Sequence, residues 1–83
     1  MVFYVYMLKT SQGRINKSYV GYTNNLKSRI NKHNNNRGAK STKGYKWILI
    51  YKKKFNSKSA AMSFEFKLKK DRTKRKKILK SIK

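Results

Sequence analysis

The sequence of 83 residues contains no cysteine and no proline. Without cysteine, the chain can form neither a disulfide framework nor a thiolate metal site, so side-chain packing alone must stabilise the domain. A chain of this length buries a core near the lower limit for independent folding, and aromatic side chains such as Trp47 suit that task. Since no linker or internal repeat marks a boundary, we predict a single domain over residues 1–83.

Long apolar stretches are also missing. The longest wholly apolar run covers residues 2–8, which is far too short to cross a lipid bilayer. The N-terminus lacks the basic segment and the small-residue cleavage site that are typical of a secretory signal. We therefore predict a cytoplasmic protein with no membrane partner. A basic amphipathic tail that lies on an anionic membrane surface is the alternative.

Acidic residues are a further scarcity, since the chain has only Glu65 and Asp71. A glycosidase needs paired carboxylates, and a two-metal nuclease needs several bridging carboxylates, so both classes are disfavoured. A serine triad built on the single histidine, His33, would have to recruit one of these two acids. A single hard cation on one carboxylate, completed by water and phosphate oxygens, is compatible with this composition.

Basic residues, by contrast, are abundant: Lys and Arg total 24, and the formal net charge is +22 at pH 7. A surface of this charge repels copies of itself, and its natural counterpart is a dense polyanion, above all nucleic acid. An AT-rich genome, whose codons favour Lys, Asn and Ile, is a competing explanation for part of the excess. Because the aromatic residues and strand patterns indicate a packed fold, we predict nucleic acid rather than a membrane as the partner.

The alternation of residue types predicts three strands and three helices in the order β-β-α-β-α-α. The strands are predicted over residues 2–8, 18–22 and 47–54, with polar loops over residues 10–17 and 34–46. The predicted helix N-caps are Thr23 or Asn24 for a first helix that runs to about Asn35, Ser57 or Ser59 for the second, and Asp71 for the third. This order predicts an α+β fold with a small three-stranded antiparallel sheet flanked by helices.

Glu65 lies in the middle of the second predicted helix, at the edge of an apolar face that carries Ala61 and Leu68. Asp71 has a structural explanation as a helix cap, whereas Glu65 has none so simple. A carboxylate at the edge of an apolar face is either desolvated, as in a functional site, or paired with a cation. Lys69, four residues later, is positioned for an ordinary ion pair of the second kind. Both explanations stay open on spacing alone.

Arg29 and His33 lie four residues apart in the first predicted helix, on the same face as Leu26 and Ile30. Taken separately, His33 would be a satisfied boundary histidine, and Arg29 would cover apolar surface with its stem. Taken together, they would present a guanidinium fork for a phosphate and an imidazole for proton transfer.

Two of the predicted strands carry tyrosines at alternating positions. Tyr4 and Tyr6 share one face of the first strand, and Tyr19 shares one face of the second strand with Gly21. Core packing explains each of these tyrosines equally well, so composition alone assigns them no function.

Taken in order, these residues resemble the motifs of the GIY-YIG nuclease family. The motifs that carry the resemblance are Tyr4-Val5-Tyr6, Tyr19-Val20-Gly21, Arg29 with His33 one turn later, and Glu65 in the helix after the third strand. The segments GAKSTKGYKW and AMSFEFKLKK are similar to those of small stand-alone members, and the resemblance covers nearly the whole chain. Position 4 departs from the family pattern because it carries tyrosine instead of glycine, and residues 66–83 lack the asparagine of many longer members.

The resemblance implies a metal-dependent phosphodiesterase of the endonuclease type. Glu65 would then hold a single Mg²⁺ or Mn²⁺ ion, and Arg29 would grip the scissile phosphate. Tyr6 would be the general base for the attacking water, with neighbouring cations lowering its pKa from ~10, and His33 would receive its proton. Tyr19 would orient the water or the phosphate by hydrogen bonding.

The remaining basic residues are expected to bind nucleic acid through its phosphates without reading its sequence. The predicted phosphate-binding lysines are Lys40, Lys43, Lys46, Lys67, Lys69 and Lys70. Gly21 would let the backbone approach the substrate closely. Because the sequence shows no separate recognition domain, we predict a nuclease that selects the structure of its substrate rather than a sequence. DNA is the expected substrate, in repair or recombination, and RNA stays open as the alternative. A partner protein could position so small a nuclease.

Two other functions stay open. A nucleic-acid-binding module of the same fold without catalysis would explain the charge, but it would have no need of Glu65, an acid facing phosphate. A ribosome-associated basic protein would also explain the charge, but not the combination of tyrosines, Arg29, His33 and Glu65. We therefore predict a structure-selective nuclease.

Overall fold

The computed structural model describes residues 2–10, 17–35 and 44–81. The elements within these ranges are β1 (Phe3–Thr10), β2 (Ser18–Thr23), α1 (Leu26–Asn34), β3 (Trp47–Phe55), α2 (Lys58–Lys70) and α3 (Arg72–Lys80). The predicted order β-β-α-β-α-α and the α+β class are confirmed. None of the helices in these ranges is long and apolar enough to cross a membrane. Lys40 and Lys43 lie outside the described residues.

β1 is the central strand of an antiparallel sheet with the order β2-β1-β3. Tyr6 of β1 lies opposite Gly21 of β2 and opposite Lys52 of β3. The pairing with β3 shifts once, between Met7 and Leu8. Each strand extends one or two residues beyond its predicted C-terminal end, because cross-strand pairing rather than the local pattern decides where a strand stops.

α2 and α3 cover one face of the sheet, which we call the apolar face. Its buried residues are Val5, Met7, Val20, Ala61 and Leu68. Half-buried residues of α3, among them Ile78 and Leu79, pack against the same core. Every side chain in this core is apolar, so burial of apolar surface is what holds α2 and α3 on the sheet.

α1 covers the opposite face, which we call the α1 face. Tyr6, Leu8 and Trp47 are buried there and pack against Leu26 and Ile30. β1 therefore has helices on both sides, as its unbroken apolar run predicts.

Asn25 caps α1, so the prediction of Thr23 or Asn24 is wrong. The Asn25 Oδ1 atom accepts a hydrogen bond from the Ser28 amide at 3.1 Å. Thr23 is still paired in β2, and its hydroxyl accepts a hydrogen bond from the Asn25 amide at 3.1 Å. The extra strand residue in β2 therefore displaces the start of the helix.

The predicted caps of the other two helices are confirmed for Ser57 and Asp71. The Ser57 hydroxyl accepts from the Ala60 amide at 3.1 Å, and the Asp71 carboxylate accepts from the Lys74 amide at 3.0 Å. Each cap satisfies an amide that has no partner within its helix. The Ser57 cap fixes the start of α2 so that Glu65 lies in its middle.

Asn34 joins the end of α1 to the start of β3. Its side-chain oxygen accepts from the Trp47 amide at 2.6 Å, and its side-chain nitrogen donates to the Trp47 carbonyl at 3.1 Å. This pair of hydrogen bonds imitates the pairing of two strands. It anchors the last turn of α1, which carries His33, to the edge of the sheet.

Candidate active site

Tyr6 is the centre of a hydrogen-bonded cluster on the α1 face. Its side chain is fully buried in the core that α1 covers. The Tyr6 hydroxyl lies 2.9 Å from Nε2 of His33, and Nε of Arg29 donates to it at 3.3 Å. The two residues predicted to act together on α1 therefore meet the predicted tyrosine of β1.

Burial raises the pKa of Tyr6 from 10.0 to about 12. The hydrogen bond from Arg29 acts in the opposite direction, but it does not offset the hydration that a phenolate would lose. The neighbouring charges of Tyr19 and Glu65 add smaller increases. Arg29 lowers this pKa as predicted, but burial outweighs it, so the predicted net fall is wrong and Tyr6 is a neutral phenol at pH 7.

His33 is the fully buried partner of Tyr6. Burial lowers the pKa of His33 below its usual 6.5, and the positive charge of Arg29 lowers it further. The imidazole is therefore neutral at pH 7, with one ring nitrogen as an acceptor. Because Arg29 already donates to the phenol oxygen, the proton arrangement that suits all three groups has the Tyr6 hydroxyl donating to Nε2 of His33.

Tyr19 extends the cluster from β2. Its ring centroid lies 4.8 Å from that of His33 and 6.3 Å from that of Tyr6. The hydrogen bond to Tyr6 is the largest cause that raises the pKa of Arg29 above its usual value, and the nearby Tyr19 hydroxyl acts in the same direction. Arg29 is thus a permanent positive charge that binds the Tyr6 phenol and lies near that of Tyr19.

Gly21 makes room for the Tyr6 hydroxyl. A Cβ atom at position 21 would lie 2.6 Å from the Tyr6 oxygen and 3.0 Å from Cε2 of Tyr19. Both distances are shorter than the van der Waals contact between such atoms, so no side chain fits there without displacing a tyrosine. Gly21 thus accommodates Tyr6, which lies directly opposite in the sheet, and the close approach of its backbone to the substrate stays a prediction.

An open cleft of about 680 Å³ adjoins this cluster. Its lining residues are Phe3, Tyr6, Tyr19, Gly21, Tyr22, Thr23, Asn24, Arg29, Lys58 and Glu65. The lining combines residues from both faces of β2, an edge strand, so the cleft lies along that edge. This position explains how Glu65 of α2 shares a cleft with Tyr6 and Arg29, although α2 packs on the apolar face. His33 does not line the cleft and is linked to it through Tyr6.

Both explanations for Glu65, an ion pair with Lys69 and a place in a functional site, find support in the structure. Its carboxylate lies 3.8 Å from the Lys69 ammonium, which is the expected i,i+4 pair, and its side chain also lines the cleft. The Glu65 side chain is 17% exposed and that of Lys69 is 52% exposed. An ion pair with so exposed a lysine contributes little stability. The pair therefore does not account for a carboxylate in this cleft.

Glu65 suits a divalent cation that keeps most of its water. Among the described residues, no group of three or more His, Cys, Asp or Glu side chains could hold a metal ion by itself. Mg²⁺ commonly binds one or two carboxylates, several waters and substrate phosphates, instead of a cage of protein ligands. A single carboxylate beside Arg29 in an open cleft fits that donor set. The metal site stays a prediction.

The four predicted phosphate-binding lysines that the structure describes do not all lie beside the cleft. Lys46, Lys67, Lys69 and Lys70 are exposed, as phosphate contacts require. Lys69 pairs with Glu65 at the cleft, whereas Lys67 lies beside a different, shallow pocket that Asp71 also lines. Their role in binding stays a prediction.

Lys58 is a cleft residue that the sequence analysis did not single out. It is the first residue of α2 and precedes Glu65 by seven positions, which places both on the same side of the helix. That spacing was visible in the sequence, but one lysine among so many carried no signal. Phe3 and Tyr22 line the cleft as well, and their strand pattern marked them only as core residues.

The fold and the site together define an α+β domain in which a Tyr–His–Arg network adjoins a cleft that a single glutamate also lines. The family model for the GIY-YIG catalytic domain matches residues 2–78. The chain therefore belongs to the GIY-YIG family, whose members generally are nucleases and act on nucleic acids.

Relatives of similar size support this assignment. The chain is 43% identical to a UPF0213 protein of Staphylococcus haemolyticus over 67 aligned residues. This alignment covers 80% of the chain and 78% of the relative. It is 44% identical to a UPF0213 protein of Clostridium perfringens over 68 aligned residues, and this alignment covers 81% of the chain and 70% of the relative. The solution NMR structure of a UPF0213 protein from Bacillus halodurans is similar with a TM-score of 0.53 at 34% identity, covering 99% of this chain and 86% of that one.

Proposed function

We propose that this protein is a metal-dependent nuclease that hydrolyses phosphodiester bonds in DNA. The observation that carries the proposal is the Tyr6 hydroxyl, held by His33 and Arg29 beside a cleft that Glu65 also lines. These residues supply a general base, a phosphate-binding cation and a metal-binding carboxylate, which together suffice for hydrolysis assisted by one metal ion. A carboxylate in a phosphate-binding cleft would weaken binding unless a cation lay between the two anions.

In this mechanism Tyr6 relays a proton and is not a preformed phenolate. Because its pKa is about 12, the phenolate is rare at pH 7. As the water oxygen forms its bond to phosphorus and the bond to the 3′ oxygen breaks, the water proton passes to the Tyr6 oxygen, and the leaving 3′ oxygen takes a proton from solvent water. The phenol gives its own proton to Nε2 of His33, 2.9 Å away. Because its pKa is lowered, His33 is neutral and has a lone pair for this proton, and the resulting imidazolium readily passes the proton on to solvent.

Access of water to Tyr6 requires a movement of its neighbours. The Tyr6 side chain is 0% exposed, so water reaches the hydroxyl only when Arg29 or Tyr19, both half-buried, shifts. A phosphate in the cleft attracts the Arg29 guanidinium, because a charge-assisted hydrogen bond is stronger than one to a neutral phenol. Substrate binding would thereby uncover the general base, and Tyr19 would then orient the water.

Glu65 would hold the Mg²⁺ or Mn²⁺ ion, which when bound would offset negative charge on the phosphate and on the leaving 3′ oxygen. Lys69 must release the carboxylate for this to happen. Its exposed side chain, 3.8 Å from Glu65, does so at little cost.

The expected substrate is DNA with a flap, branch, nick or single-stranded region. Exposed lysines contact phosphates and carry no sequence information, so shape is the property that such a surface selects. A role in repair or recombination in the cytoplasm, with a partner protein for targeting, completes the proposal.

The test uses labelled single-stranded, duplex, flap and branched DNA with Mg²⁺ or Mn²⁺, and parallel reactions with EDTA. Glu65→Gln should abolish cleavage and keep binding. Asp71→Asn is the matched control, because it removes the other acidic charge and asparagine caps a helix as well as aspartate does. It should cleave at the wild-type rate.

Cleavage that needs both the metal and Glu65 would support the nuclease. If every substrate is bound and none is cut by wild-type protein, with Glu65→Gln binding equally well, the non-catalytic nucleic-acid-binding module is the better description. RNA of the same shapes, assayed in parallel, decides between the two nucleic acids.

A further inference from the structure

Three large apolar side chains are exposed in the described part of the chain. They are Ile48 at 43%, Met62 at 45% and Phe66 at 59%. Met62 and Phe66 lie four residues apart on α2 and are therefore neighbours on its surface. An aromatic ring on the outer side of a helix gives up the burial that would normally stabilise it, which makes the pair a candidate for a contact surface.

The Met62–Phe66 pair is continuous with the cleft. Met62 precedes Glu65 by three residues and follows Lys58 by four, so it is a surface neighbour of two residues that line the cleft. Phe66 comes next on the far side of Met62. A strand that leaves the cleft at Glu65 and crosses the outer surface of α2, around the helix axis, therefore reaches Met62 and Phe66.

Lysines surround the exposed ring. The Lys70 ammonium lies 4.3 Å from the centroid of Phe66, within the range of a cation–π contact. Lys69 is exposed on the same side of the helix. The chain as a whole carries a formal charge of +22, and this charge favours an anionic occupant for the surface. An aromatic ring beside ammonium groups suits a flat base attached to a phosphate.

We propose that Phe66, supported by Met62, stacks on an unpaired nucleobase of the strand whose phosphate occupies the cleft. Aromatic rings beside lysines bind single strands in this way, because every base offers a flat face and every linkage a charge. A paired base inside a duplex already stacks on its neighbours and has no open face for Phe66. This inference rests on the proposed function for its occupant and names the substrate class as DNA with a single-stranded segment.

Binding measured in EDTA tests the proposal separately from catalysis. Phe66→Ala should weaken binding of a single-stranded oligonucleotide about 5- to 150-fold, the loss typical for one stacked base, and leave binding of a blunt duplex unchanged. Ile48→Ala is the matched control, because it removes an exposed apolar side chain from β3, outside the cleft. It should change neither affinity. Thermal unfolding should be the same for all three proteins, since both side chains are exposed.

Phe66→Trp supplies a direct signal. Its affinity for the single strand should equal that of the wild type, and its added fluorescence should be quenched by the single strand but not by the blunt duplex. The remaining tryptophan, Trp47, is only 4% exposed, so subtraction of the wild-type signal isolates position 66.

Unchanged single-strand affinity in Phe66→Ala, or equal losses for single strand and duplex, would overturn the proposal. Cleavage assays keep the two proposals apart. If wild-type protein cuts no substrate while Phe66→Ala still loses single-strand affinity alone, the nuclease fails and the stacking surface stands. If wild-type protein cuts flaps and Phe66→Ala binds and cuts them equally well, the nuclease stands and the stacking surface fails.

Discussion

The two faces of the sheet share the central strand β1 but are stabilised in different ways. Val5 and Met7 point to the apolar face, where every buried partner is apolar. Tyr6 points to the α1 face, where its hydroxyl contacts a buried imidazole and a guanidinium. The apolar face is therefore stabilised by packing, whereas the α1 face combines packing with hydrogen bonds between groups whose pKa values are perturbed.

Because the two faces differ in this way, substitutions on them should affect stability and catalysis differently. A packing residue is replaceable by another of similar shape, whereas a buried hydrogen-bonding group leaves its partners unsatisfied when it is removed. Substitutions on the apolar face should therefore change the free energy of unfolding and spare the reaction. Substitutions in the Tyr6 cluster should change the reaction more than the unfolding.

The largest expected effect is that of Tyr6→Phe. Loss of the general base should lower the single-turnover cleavage rate by about 10²- to 10⁴-fold. The free energy of unfolding should fall by about 1–3 kcal/mol, because the hydroxyl is buried with its two partners. Tyr51→Phe is the control, since Tyr51 packs half-buried against the apolar face. Cleavage by Tyr6→Phe at the wild-type rate would exclude the proton relay.

The second largest expected effect is a loss of stability from a substitution on the apolar face. Leu68→Ala should lower the free energy of unfolding by about 2–5 kcal/mol. Leu68 is only 2% exposed, so its truncation leaves a cavity in the core. The cleavage rate per folded molecule should stay the same below the unfolding temperature. Denaturant unfolding measures the first quantity, and a cleavage assay corrected for folded fraction measures the second. A rate loss as large as that of Tyr6→Phe would show that the two faces are not independent.

Gly21→Ala should lower both stability and activity, because Gly21 packs directly against the Tyr6 hydroxyl. The new methyl group would lie 2.6 Å from the Tyr6 oxygen, so it displaces the hydroxyl from His33 and Arg29. We expect a loss of about 1–3 kcal/mol in stability from overpacking, with a fall in cleavage rate. Gly44→Ala separates the causes, since Gly44 has a φ of +85° and open space where the Cβ of an alanine would lie. It should lose about 1–2 kcal/mol from backbone strain alone and keep its cleavage rate.

The sequence predicted the elements and the residues of the cluster, but not how they constrain one another. Alternation in β1 predicted a strand covered on both sides, and the spacing of Arg29 and His33 placed them on one helix face. The Tyr6 pKa was predicted in the wrong direction, because the sequence shows the cations but not the burial that outweighs them. The cap of α1 shifted to Asn25 because β2 pairs as far as Thr23, which depends on a partner strand elsewhere in the chain.

The role of Gly21 also depends on tertiary structure. Only the sheet register places it opposite Tyr6, where a side chain would collide with the hydroxyl. Phe66 is a similar case. Its helical position was predictable, but its exposure and its place beside the Lys70 ammonium were not.

The smallest expected effect is the pH dependence that His33 confers on stability. Burial and Arg29 lower the pKa of His33 in the folded protein, so the unfolded chain binds a proton first as the pH falls below 6.5. The stabilising contribution is therefore complete above pH 6.5 and is lost as the pH falls through the lowered pKa. His33 is the only histidine in the chain, so His33→Gln should remove this slope from unfolding curves measured between pH 8 and pH 5. A wild-type protein that gained stability as the pH fell through 6.5 would require a protonated His33 in the folded state. The imidazole could then no longer accept the Tyr6 proton, and the α1 face would lose the feature that distinguishes it from the apolar face.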